Sequence, residues 1–144
     1  MNAAIAEALV RWVVLGGAIA AGGALGAVVR GGLLIAATTL DGARARSRAT
    51  ALAVLLANLG ACALLGLLLA RTADRSGATR GALAQASIAF ATTGLCGSLS
   101  TFSTICADLV QVAQARRFRL GTLYLLAHLV GGPLALGVGL SWRS

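Results

Sequence analysis

The feature that most constrains this chain is a long apolar segment that contains a dense polar cluster. The segment runs from Gly81 to about Ala115. As one helix it would be about 50 Å long, well beyond the roughly 30 Å of a bilayer core. Within it, the stretch Thr92–Asp108 holds two glycines and seven hydroxyl side chains. Because unpaired backbone at membrane depth is tolerated only where it is buried in protein or lines a polar path, the sequence predicts two half-helices. The chain is expected to open between Gly94 and Ser100, where a solute is bound or passed.

The composition places the chain in a membrane. It is 58% hydrophobic and 11% charged over 144 residues, which is too apolar for an ordinary soluble domain. The net charge of +8 comes from twelve basic residues, all arginine, that are spread over loops and ends. This distribution argues against nucleic acid as a partner and suits the anionic headgroups of membrane lipid.

Four membrane spans can be placed between charged ends. They are Trp12–Val29, Ala49–Ala70, the broken segment Gly81–Ala115, and Leu120–Leu140. The apolar stretch Gly31–Thr39 either continues the first helix or folds back at the membrane interface. Since no linker or low-complexity tract divides the chain, we predict one all-α membrane domain with four helices over residues 1–144.

The arginines are distributed almost evenly between the two sides of the membrane. With four spans, five arginines lie on the side of the N-terminus and seven on the other side. The positive-inside bias is therefore weak. A weak bias suits a protein that inserts in both orientations, or one member of an oppositely oriented pair. It permits an antiparallel dimer without requiring one.

Three polar residues in or beside apolar stretches are candidate functional residues. Asn58 lies near the middle of the second span, where unpaired amide donors are costly. An interhelical hydrogen bond and an anion contact explain it equally well on position alone. Asp108 is an ionisable group inside an apolar segment, which favours a functional role. Arg30 is interpreted first as an arginine that reaches the interface from a helix end.

The hydroxyl side chains of the third span also have two interpretations. Ser103 and Thr104 either return hydrogen bonds to their own helix or offer donors to an anion at the break. Their clustering with Ser98, Ser100 and Thr101 favours the second interpretation.

The first and fourth spans add smaller signals. Gly22 and Gly26 form a GxxxG pair that close helix packing explains without a ligand. Tyr124 and His128 lie four residues apart on one face of the fourth span. For these two side chains, packing and pore contact are both open.

The chain resembles the Fluc (CrcB-type) fluoride channels. TTGLCGSLSTFST followed by Asp108 is similar to their third span, GGALGAVVR (Gly22–Arg30) to their first, and ANLGACALLG (Ala57–Gly66) to their second. The resemblance extends from Gly22 to about Gly132. It implies a fluoride-selective channel, built as an antiparallel, dual-topology dimer in a bacterial inner (plasma) membrane. Such a channel exports fluoride passively and relieves fluoride toxicity. Whether the partner is a second copy or a diverged homologue is open.

The resemblance also implies a set of site residues. A sodium ion at the dimer centre is the one expected cofactor, held by main-chain carbonyls at the positions of Gly97 and Ser100. The implied fluoride pathway contains Asn58, Phe102, Ser103, Thr104, Ile105 and Tyr124, and the implied vestibule contains Arg30 and Asp108.

Two of these positions depart from the family pattern. Phe102 matches the first of two phenylalanines whose electropositive ring edges face fluoride, but Ile105 stands at the second. Asp108 stands where the family has a glutamate. The isoleucine leaves the lining of the pore in question.

Two alternatives belong to other classes. A small multidrug-type drug/proton antiporter is also an antiparallel four-span dimer, but it couples transport through an acid in the first span, and here Glu7 lies before Arg11. A non-transporting membrane subunit would not require a polar break in the third span. An enzyme is not expected, since the sequence holds no catalytic triad, paired carboxylates or phosphate loop.

Overall fold

The computed structural model describes residues 2–39, 43–73 and 81–142. For residues 43–48 and 73 it describes the backbone only. Arg75, Arg80 and Arg143, which entered the count of arginines, lie outside the described residues. In this part of the chain every regular element is helical: α1 (Ala3–Thr39), α2 (Ala43–Ala73), α3 (Ala82–Ala89), α4 (Phe102–Gln114) and α5 (Phe118–Ser141). Between α3 and α4 the chain forms a π-helix (Phe90–Cys96) and one helical turn (Gly97–Leu99). The all-α prediction is confirmed.

The prediction of four spans is confirmed as well. The described helices include four stretches that are long and apolar enough to cross a membrane: Ala3–Thr39, Ala49–Thr72, Ala82–Gln114 and Phe118–Ser141. In the most apolar stretch of α5, 6% of the residues are buried within the protomer. In the most apolar stretch of α2, 28% are buried. Since a soluble protein rarely exposes so large an apolar surface, lipid or a partner must cover these faces.

The first helix is longer than predicted. α1 is one continuous helix of 37 residues, or about 55 Å, so the stretch Gly31–Thr39 continues the helix and does not fold back. Glu7, which we expected to lie outside the first span, is an exposed residue of this same helix. The helix extends this far because seven of the nine residues 3–11 are alanine, leucine, glutamate or arginine, which favour helix.

Glycines bring α1 against the third span. A Cβ on Gly94 would lie 2.9 Å from Cα of Gly22 and 2.7 Å from the carbonyl oxygen of Ile19. A Cβ on Gly26 would lie 2.6 Å from the carbonyl oxygen of Leu95. In lipid, helices associate through close packing of this kind. The packing interpretation of Gly22 and Gly26 accounts for both glycines.

A second pair of glycines brings α2 against α5. A Cβ on Gly139 would lie 3.0 Å from Cα of Gly66 and 2.8 Å from the backbone nitrogen of Leu67. The two helices pack along each other over much of their length. The fold therefore contains two closely packed units, α1 with the first half of the third span and α2 with α5. They meet where α2 contacts α1 and the third span, and where α4 contacts α5.

The third span is broken, as predicted, but the opening lies at Ser100 and Thr101. Ser100 (φ −83°, ψ 144°) and Thr101 (φ −146°, ψ 119°) both have extended backbone. Gly94, at the other end of the predicted opening, lies in the π-helix and is buried. Its lack of a side chain serves the contact with α1 rather than an opening of the chain.

Candidate functional site: a cleft beside the break

The break lies beside a cleft of about 240 Å³. We call it the Asn58 cleft. Its walls come from α2, the break, α4 and α5: Asn58, Leu59, Cys62, Ser100, Thr101, Phe102, Ile105, Leu125, His128, Leu129 and Gly132. Mostly apolar walls with a few convergent polar groups are typical of a binding site.

Asn58 uses one end of its amide for structure and leaves the other end unused. The side chain is only 7% exposed, and its Oδ1 accepts a hydrogen bond from the backbone amide of Thr101 at 2.9 Å. Thr101 is the N-cap of α4, so Asn58 satisfies a backbone amide at the start of that helix. Within the described chain, its Nδ2 donates to no protein group. The two interpretations of Asn58 therefore apply to different atoms of one side chain.

The same hydrogen bond frees a carbonyl group. In an uninterrupted α-helix the Thr101 amide would donate to the carbonyl of Gly97, but here it donates to Asn58. Gly97 is exposed, and a Cβ at this position would meet nothing within 4 Å. The break thus presents a carbonyl oxygen without its helical donor at an uncovered surface of the protomer.

Three hydroxyl groups near the break bond to one another. Thr104 Oγ1 donates to Thr101 Oγ1 at 3.4 Å, and Thr101 Oγ1 and Ser103 Oγ lie 3.0 Å apart and share a hydrogen bond. Ser103 and Thr104 therefore do not return their hydroxyls to their own helix carbonyls. Three hydroxyls carry three hydrogens and the two bonds use two of them, so one hydrogen remains for a ligand. Ser103 and Thr104 are not among the residues that line the cleft.

The two positions that correspond to the family phenylalanines differ in burial. Phe102 is 74% exposed, whereas Ile105, one turn later, is 7% exposed. Both line the cleft. Ile105 forms part of the inner wall, and the Phe102 ring projects from the protomer.

Asp108 and Tyr124 form a pair that links α4 to α5. The Tyr124 hydroxyl donates to Asp108 Oδ2 at 2.8 Å. Neither residue lines the Asn58 cleft. Arg30 lies on α1, partly buried, and the described part of the chain gives its guanidinium no hydrogen-bond or ion-pair partner. The structure does not bring Arg30 and Asp108 together by a hydrogen bond.

Two residues of the site have contacts that only the structure reveals. Thr101 connects Asn58 to the hydroxyl group network, through a contact between residues 43 positions apart. His128 lines the cleft, and its Nε2 is buried without a hydrogen-bond partner among the described residues. The spacing of His128 from Tyr124 was a visible signal for a polar face, whereas no sequence pattern predicted the contact of Thr101 with Asn58.

Comparisons with known proteins agree with this architecture. The profile of the family described as CrcB-like protein, Camphor Resistance (CrcB), matches residues 17–140. A comparison with curated proteins finds no match. The matched range contains every residue of the Asn58 cleft. The CrcB-like proteins are channels and not enzymes. The chain therefore belongs to the CrcB-like family, the family of the Fluc fluoride-exporting channels.

Proposed function

We propose that fluoride crosses a bacterial inner membrane passively along the Asn58 cleft, so that this chain relieves fluoride toxicity. The observation that carries the proposal is the unused Nδ2 of Asn58 in a cleft with mainly apolar walls. An anion that sheds water needs donors from the protein in its place. The Asn58 oxygen is held by the Thr101 amide, and the side chain offers its two N–H groups as donors.

Two further groups extend the path from the cleft toward the surface. The hydroxyl network of Thr101, Ser103 and Thr104 has one hydrogen to spare. The exposed ring of Phe102 can turn its electropositive edge to an anion. Together with Asn58, these groups supply weak donors at successive positions. Several weak binding sites in series let an ion both enter and leave.

Tyr124, Asp108 and Arg30 serve the entrance in this proposal. An acid in an anion path repels the ion, and here the Tyr124 hydroxyl donates a hydrogen bond to the Asp108 carboxylate. Arg30 has no acidic partner in the described chain, so its positive charge is available to attract anions.

The working unit that we propose is an antiparallel dimer. Phe102 and Gly97 are exposed on the protomer beside the break. Exposed backbone at membrane depth requires cover by protein or a polar path. A second subunit in the opposite orientation would supply this cover, and the nearly even arginine count permits it.

The break also suits a sodium ion. The expected ligands are the main-chain carbonyls of Gly97 and Ser100, and the Gly97 carbonyl has lost its helical donor to the Asn58 contact. Carbonyl oxygens are the ligands that alkali cations accept in channel proteins. When bound, the ion supplies a positive charge beside exposed carbonyls. Gly97 and Ser100 would hold it, and no permeation step depends on it.

We expect the reconstituted chain to release fluoride from loaded liposomes in the presence of a potassium ionophore and to retain chloride. The physical reason for this selectivity is that the donors in the path, the Asn58 amide and a few hydroxyl groups, are small and few in number. The measurement is efflux recorded with fluoride- and chloride-selective electrodes, with empty liposomes as the control. Equal leakage of both anions would contradict selectivity, and no fluoride flux even with a co-expressed homologue would contradict transport.

The isoleucine at the second phenylalanine position leads to a prediction about the partner. If each pore takes Phe102 from one subunit and position 105 from the other, a homodimer lacks one aromatic edge in each pore. A homologue that has phenylalanine at its second position would complete the pore that contains Phe102. We therefore expect this chain to conduct faster with such a homologue than alone.

The variant Ile105→Phe tests this expectation together with the wild type, each alone and with the homologue. Because Ile105 is buried, the larger ring also costs about 1–3 kcal/mol of packing, so detergent stability is measured alongside flux. Full flux of the wild-type chain alone, unchanged in a stable Ile105→Phe variant, would show that isoleucine suffices.

A further inference from the structure

His128 occupies a position that packing alone does not explain. It lines the Asn58 cleft from α5, and Asn58 lines the same cleft from α2. Its ring packs edge-on against Tyr124, with centroids 4.5 Å apart. Nδ1 lies 2.9 Å from the backbone carbonyl oxygen of Tyr124, whereas Nε2 is buried and has no partner among the described residues.

The contact with Tyr124 determines which nitrogen carries the proton. A carbonyl oxygen can only accept, so Nδ1 must be the donor in this bond. In the neutral imidazole the other nitrogen, Nε2, is then a bare acceptor, which an anion avoids. Only the doubly protonated ring has an N–H at Nε2 to donate. The fold therefore makes the donor capacity of Nε2 depend entirely on a second proton.

We infer that His128 is a protonatable anion ligand of the Asn58 cleft, where its Nε2–H joins the Asn58 amide in binding fluoride. The inference rests on the proposed function, which places fluoride in this cleft. The protonated ring offers both a charge and a donor, and charge-assisted hydrogen bonds are about twice as strong as neutral ones. Fluoride and a proton are therefore taken up together, and a rise in pH empties the site.

The described lining of the cleft holds no carboxyl group and no second histidine. Cys62 from α2 is the other ionisable residue in its lining. The break and α4 contribute no ionisable side chain to the lining. On α5, Tyr124 touches the imidazole and in turn holds Asp108 of α4. Histidine is the side chain whose charge usually changes between about pH 5 and 8, and His128 is the histidine of this lining.

The chain has one histidine, which allows a direct test without transport. Wild-type protein with ¹⁵N-labelled histidine is titrated by NMR above pH 5 in potassium fluoride and, separately, in potassium chloride of equal concentration. We expect fluoride to move the midpoint of imidazole protonation to higher pH, by about one unit at ten times its dissociation constant. Chloride should leave it unchanged, and the neutral ring should carry its proton on Nδ1. Equal midpoints in both salts, or a neutral ring protonated on Nε2, would overturn the inference.

Flux measurements extend the test to conduction and separate it from the proposed function. Wild-type flux should fall about tenfold for each pH unit above the midpoint. His128→Gln keeps a donor near the position of Nε2 at every pH, so its flux should be independent of pH, and His128→Leu should be low throughout. A pH dependence that persists in His128→Gln and disappears in Asp108→Asn would assign the effect to the carboxylate and overturn the role of His128. Absence of flux beside a fluoride-dependent midpoint would refute the channel mechanism and leave the binding site standing.

Discussion

Replacement of Asn58 by aspartate is expected to lower fluoride flux by about a hundredfold or more, with the hydrogen bond to the Thr101 amide retained. Aspartate keeps an oxygen that accepts from the Thr101 amide. It loses both N–H donors and adds a negative charge to the cleft. Loss of one hydrogen bond to a charged group costs about 1.5–3 kcal/mol, or roughly ten- to a hundredfold, and the repulsion of the anion adds to this.

The companion variant Asn58→Leu separates the two ends of the amide. It removes the acceptor as well as the donors, so the Thr101 amide is left without its partner. We expect this variant to lose about 1–3 kcal/mol of stability together with flux, whereas Asn58→Asp should lose flux at nearly unchanged stability. Flux from liposomes and thermal unfolding in detergent are measured for both proteins. Normal conduction by Asn58→Asp would refute anion coordination by Nδ2, and equal stability of the two variants would refute the structural role of Oδ1.

Replacement of Gly22 by alanine is expected to destabilise the protein by about 1–3 kcal/mol. A Cβ on Gly22 would collide with the carbonyl oxygen of Phe90 and would lie 3.1 Å from the backbone nitrogen of Leu95. Both contacts are with backbone, which cannot rotate away as a side chain can. The third span would have to move off α1, and the break would move with it.

Gly23 provides the matched control for this prediction. It is the next residue of the same helix, and a Cβ there would meet nothing within 4 Å. Gly23→Ala should therefore be neutral or gain about 0.5–1 kcal/mol from helix propensity. Thermal unfolding of the two variants in detergent measures the difference. A Gly22→Ala protein as stable as Gly23→Ala would contradict the close crossing of α1 and the third span.

Several features of this protein followed from the sequence because their causes are local. Helix in a bilayer must satisfy its own backbone, so length and hydropathy alone predicted four spans. The excess length of the segment Gly81–Ala115 and its glycines and hydroxyls predicted a broken third span. The GxxxG pair of Gly22 and Gly26 predicted close packing, because only small residues permit it.

The tertiary structure decided where the chain opens and what each polar atom does. The break lies at Ser100 and Thr101 because the Thr101 amide finds Asn58, 43 residues away in the chain, and no local pattern encodes such a partner. The burial of Ile105 and the exposure of Phe102 depend on where α2 and α5 pack against α4. The donor state of His128 depends on one carbonyl of Tyr124. Hydrogen bonds are short and directional, so the sequence determined which polar groups enter the membrane, and only the packing of the helices decided which of them remain free to bind an ion.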